Sequence, residues 1–120
     1  MSEKTEGKLV RDKIPEILDE KGLSFSHFVL KEEGYVPELL KKLFEESGEL
    51  CTAISNEDRE NIIEELADIY EVIFAISEAL EIHFMLEVFR EVFRKREQKG
   101  GFDKRIFLRM LSEKDKGLHE

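Results

Sequence analysis

The chain has 120 residues, a formal net charge of −9, 41% apolar and 39% charged residues, and one cysteine. That length fits one domain with a modest core. The acidic balance argues against broad nucleic-acid binding, which needs a basic surface to replace counterions, and the lone Cys51 excludes an intramolecular disulfide and makes thiolate metal sites improbable.

The polar start, residues 1–7, is expected to be disordered, and residues 112–120 to fray. No apolar signal core is present at the start and no run approaches membrane-spanning length, so the expectation is a cytoplasmic protein with no membrane association. Residues 8–21 read as a basic segment entering a first helix, with Asp12 as N-cap, Pro15 in the first turn and Gly22 as the stop. Residues 23–30 alternate too poorly for a strand and read as an extended connector. A second helix is expected from Val36 or Pro37 to about Ile54, with Leu39, Leu40, Leu43 and Leu50 at helical spacing. Asn56 or Asp58 caps the third helix, about Glu57 to Glu81.

That third helix carries one stripe of Ile62, Leu66, Ile69, Ile73, Ile76 and Leu80, and beside it a second of Ile63, Ala67, Tyr70 and Phe74. An apolar face so wide calls for more than one neighbour, either within a bundle or in a second copy. A fourth helix is expected over about Phe84 to Gln98, with Met85, Val88, Phe89, Val92 and Phe93 inward and Gly100–Gly101 as its stop. The tail from Phe102 is apolar enough to pack back on the body. Cys51 reads as a small buried residue, and His27, His83 and His119 as carrying no chemistry.

Acids are the chemically informative residues. Glu46 and Glu49 form an i,i+3 pair on the second helix, and Glu65 and Asp68 form another on the third. Residues three apart share a face, and both pairs edge an apolar stripe. If the helices pack antiparallel across their short connection, four carboxylates converge. Each motif alone is also what a solvated acidic face would carry, since the chain has 28 acids. The two together favour a hard divalent cation held by oxygen, Mg²⁺ or Mn²⁺, because no Lys or Arg lies within either pair to offset the repulsion.

The stretches KLFEESGEL and EELADIYEVI resemble the MazG-like all-α NTP pyrophosphatases, a superfamily that includes phosphoribosyl-ATP pyrophosphohydrolase. KLVRDKIPEIL near the start and KGGFDKRIFL near the end are similar to a subgroup of small stand-alone members. The resemblance runs from Lys8 to Leu108. It implies an all-α, four-helix-type bundle in a single domain over 1–120, oligomeric, with Mg²⁺ on Glu46, Glu49, Glu65 and Asp68. It implies catalytic roles for Glu45, Glu46 and Glu49 and the reaction NTP + H₂O → NMP + pyrophosphate, used to clear unwanted nucleotides. Lys8, Arg11 and Lys13 at the front, and Arg96, Lys99, Lys104 and Arg105 near the Gly-Gly turn, are the candidate phosphate-binding cations; Phe102 is a candidate base-stacking residue or a tail anchor.

Three rivals stand beside that expectation. A di-iron carboxylate bundle needs Glu-x-x-His, and no histidine here has Glu three residues before it. A helical interaction module would use the acids only as a solvated face. Phosphoribosyl-ATP hydrolysis would use the same acids on a different substrate.

Overall fold

The computed structural model describes residues 7–110 and is all-helical there, as the sequence implies. The expected disordered start (save Gly7), the frayed end and His119 lie outside the described residues. Four α-helices occur: α1 (Ile14–Glu20), α2 (Glu32–Ser55), α3 (Arg59–Ala79) and α4 (Arg90–Lys99), with a π-helical turn, Phe84–Phe89, leading into α4. Residues 23–30 carry no regular structure. The chain divides into two compact units, Met1–Phe84 and Met85–Glu120.

In the first unit, α2 and α3 pack on each other and are joined by only Asn56, Glu57 and Asp58, so they run antiparallel. The joint is built by the backbone. Asp58 N–H bonds to Ala53 C=O at 3.2 Å and Glu57 N–H to Ile54 C=O at 3.0 Å, with Glu57 left-handed at φ 54°. This is a Schellman ending with glutamate where glycine is usual. Asp58 then starts α3, its side chain accepting from Asn61 N–H at 3.2 Å. The same ending closes α1 at Gly22 and α3 at Glu81, with Leu23 N–H on Leu18 C=O and Ile82 N–H on Ser77 C=O. Only the first of these uses the glycine that betrays such a stop in sequence.

Several expectations need correction. Lys13, not Asp12, precedes α1, and no side chain caps it; a backbone turn from Ile14 N–H to Arg11 C=O meets that donor instead. Helix α2 starts at Glu32, about a turn before the expected Val36 or Pro37, so Pro37 lies inside the helix. Its missing N–H costs one bond, to the C=O of the exposed Glu33, which water can satisfy.

The core is thin: Leu39, Ala53 and Val72 are the buried apolar residues among those described. Cys51, expected to be buried, is exposed, as are Leu40, Phe44, Ile63, Leu66, Tyr70 and Ile73. Helical periodicity puts these on one side of the hairpin, where nothing in the first unit covers them. On its inner edge Tyr70, Phe74 and Phe84 form an aromatic cluster with centroids 4.4 to 5.6 Å apart.

In the second unit Met85, Val92 and Phe93, expected inward, are exposed; Val88 and Phe89 are half-buried, with Phe89 against Phe93 at 5.1 Å. Gly100 ends α4 at φ 85°, as expected. The tail residues expected to be covered are exposed, Phe102 at 95% and Ile106, Phe107 and Leu108 with it.

Candidate metal centre and nucleotide cleft

The antiparallel hairpin brings one turn of α2 beside one turn of α3. Glu46, Glu49 and Glu65 each offer a carboxylate oxygen, all within 4.8 Å of one another. Glu46 is 7% and Glu65 8% exposed, in line with the buried Leu39 and Val72 on the same faces. These two side chains fill core positions with charge. Among the described residues, Glu46 Oε1 and Glu65 Oε1 are the buried side-chain oxygens with no hydrogen-bond partner.

Electrostatics records the conflict. Burial first, then a hydrogen bond with Glu46 and the charges of Glu49, Glu46 and Asp68, push the Glu65 carboxyl up from 4.5 to about 7. Crowded, partly buried carboxylates with orphaned oxygens are a poor structural device and a good donor set for a hard divalent cation. The residues present therefore fit the Mg²⁺ or Mn²⁺ that the sequence implies, though oxygen donors alone do not choose between them.

Asp68 stands apart from the trio. Its Oδ1 accepts from Arg11 Nη2 at 2.7 Å, across 57 residues of sequence. Lys42 lies 3.6 Å from Glu46 and 3.9 Å from Glu45. Sequence reasoning looked for cations inside the acid pairs, in the basic segment near the start and around the Gly-Gly turn. It missed Lys42, one turn before Glu46, which helix periodicity alone would have found. Glu45 is exposed on the outer side and is not in the trio.

Beside the acids runs a cleft of about 730 Å³ between α2, α3 and the segment Lys8–Ile14. That size suits one small-molecule ligand. At the acid end it is lined by Glu46, Asp68, Arg11 and Lys42, and Lys8 and Lys13 also line it. Leu9, Val10, Tyr35, Leu39 and Val72 supply apolar surface. Tyr35 escaped the sequence reading because α2 was expected to begin after it. Of the other expected phosphate ligands, Arg96 and Lys99 sit in the last turn of α4, and Lys104 and Arg105 follow it, all in the second unit.

No curated protein and no solved structure matches the chain. The model of one family does: the MazG nucleotide pyrophosphohydrolase domain matches residues 36–100, more than half of the chain, and that stretch holds both helices of the acid cluster. With an all-helical fold and a carboxylate cluster on the matched helices, the chain belongs to the MazG nucleotide pyrophosphohydrolase family.

Proposed function

We propose that this protein is a Mg²⁺-dependent nucleoside triphosphate pyrophosphohydrolase that releases NMP and pyrophosphate and clears unwanted nucleotides from the cytoplasmic pool. The observation that carries the reading is the convergence of Glu46, Glu49 and Glu65, two of them buried with unpartnered oxygens, with Glu46 lining a cleft that Lys8, Arg11, Lys13 and Lys42 also line. We read the whole chain as one functional domain, because the family match spans residues in both compact units.

In this reading Glu46, Glu49, Glu65 and Asp68 would hold the cation, which would supply charge neutralisation at the phosphates and lower the pKa of water there. Arg11, Lys13 and Lys42 bind phosphate oxygens, so that the triphosphate enters an acidic site without meeting bare carboxylates. A carboxylate of the cluster takes the proton from water as oxygen attacks the α-phosphorus. The α–β bridging bond breaks and pyrophosphate leaves. Half-buried Leu9 and Val10 help keep bulk water from that end of the cleft.

We further read the protein as a homo-oligomer. Support comes from the apolar side of the hairpin, where Phe44 is 74% and Leu66 51% exposed beside Leu40, Ile63 and Tyr70. A contiguous face of that kind marks an association surface.

The test is pyrophosphate release from standard, deoxy and damaged NTPs and from phosphoribosyl-ATP, with and without Mg²⁺, beside Glu49→Ala and Asp68→Ala. Metal-dependent release, lost in both variants, is the expected result. Well-folded protein that neither turns over any substrate nor binds Mg²⁺ by calorimetry would leave the acids as a solvated face and the chain as an interaction module.

A further inference from the structure

The cleft is polar in one direction. From α2 it is lined by Tyr35, Leu39, Lys42 and Glu46, spaced i, i+4, i+7, i+11 on one face. From α3 it is lined by Val72 and Phe74 and, along one face, by Asp68, Glu71, Ala75 and Glu78, spaced i, i+3, i+7, i+10. Because the helices are antiparallel, Glu46 and Asp68 share one end, and Tyr35 and Glu78 share the other. At 1.5 Å per residue, the ten residues from Asp68 to Glu78 span about 15 Å. One end thus gathers the acid cluster with Arg11 and Lys42. The other offers an aromatic ring and a carboxylate.

A triphosphate must lie at the end with the cations and the metal donors. The nucleoside then runs along α3 toward Glu78, passing Glu71 where its ribose hydroxyls need acceptors. Tyr35 is half-buried and lines the cleft, so its side chain can offer the base a flat apolar surface. As a carboxylate, Glu78 presents only acceptor oxygens. Facing a base edge, it accepts from an exocyclic amino group and repels a carbonyl oxygen.

We propose that Glu78 is a specificity residue that makes the cleft favour nucleotides whose base carries an exocyclic amino group over their oxo counterparts. The inference rests on the pyrophosphohydrolase reading for which end holds the phosphates.

The test uses two matched pairs, ATP against ITP and CTP against UTP, with kcat/KM from pyrophosphate release. Affinities for AMP and IMP, measured by calorimetry in Mg²⁺, need no turnover. The wild-type protein should favour the amino member about tenfold or more in each pair. Glu78→Ala should bring the ratio near one, and Glu78→Lys, which puts a donor where the acceptor stood, should invert it. Tyr35→Ala should weaken AMP and IMP alike. Glu78 is exposed, so these changes leave the fold intact, as a melting curve would verify. A wild-type ratio near one, or a preference that survives Glu78→Ala, would overturn the assignment while leaving pyrophosphate release to stand. Conversely, no release from any triphosphate, with AMP still bound more tightly than IMP through Glu78, would sink the hydrolase reading and keep the base assignment.

Discussion

The two broad sides of the α2–α3 hairpin depart from ordinary burial in opposite ways. One side buries glutamates: Glu46 and Glu65 occupy inward positions that Leu39 and Val72 occupy a turn or two along the same helices. The other leaves Phe44, Ile63, Leu66 and Tyr70 in solvent. A lone hairpin would be steadier with those residues exchanged between the sides. Each side therefore lacks something the first unit does not supply, partners for the buried Glu46 and Glu65 oxygens on one and apolar cover on the other.

The largest effect should come from emptying the acidic side. Glu65→Ala, or removal of divalent cations with a chelator, should lower pyrophosphate release at least about a hundredfold, since charge stabilisation by a bound metal is worth several kcal/mol. Glu65→Ala should not weaken association, and sedimentation would show whether the two sides are separable. The converse change is Leu66→Asp on the apolar side. Burying a leucine is worth about 1.5–3 kcal/mol, and a two-fold interface meets the change twice, so dimer dissociation should strengthen by about a hundredfold or more. Equilibrium sedimentation checks it, with Mg²⁺ binding by calorimetry as the control for folding.

Acidity sharpens the comparison from another direction. Glu65 titrates at about 7 in the folded, metal-free chain against its usual 4.5, so between those values the folded chain holds a proton that the unfolded chain has lost. Stability from this group is full below pH 4.5 and lost as pH rises through 7. The metal-free melting temperature should therefore fall across that window more steeply in wild type than in Glu65→Gln; parallel curves would mean that the site is not strained as described. The smallest change is at the joint on which both sides depend. Asp58→Ala removes the acceptor for Asn61 N–H and should cost about 1 kcal/mol by denaturant titration.

How much of this was written in the sequence differs from residue to residue. The convergence of Glu46, Glu49 and Glu65 was legible, because i,i+3 spacing beside an apolar stripe fixes direction on a helix. The direction of Lys42 was equally legible and went unread. Tyr35 was hidden by Pro37, which marks a first helical turn more often than the second turn it occupies here. Cys51 was misjudged because periodicity tells which side of a helix is apolar and not whether anything lies against that side. The Arg11–Asp68 pair joins residues 57 apart, and no local pattern in the basic segment points its side chain to α3. The ends of α2 and α3 were placed to within two residues, but without glycine nothing marked Glu57 and Glu81 as the left-handed residues that close them.

The Arg11–Asp68 contact has a kinetic side. Both side chains are at least a third exposed, and such a pair is worth at most about 1 kcal/mol, so if Asp68 is a metal ligand, as proposed, an arriving divalent cation would displace the guanidinium almost without opposition. The displaced group does not diffuse away. It stays leashed by a short stretch of chain to α1, at an effective concentration on the order of millimolar. An anion accompanying the cation would then meet a guanidinium already waiting, and one weak pair would keep a carboxylate ready for the metal and an arginine ready for the phosphate.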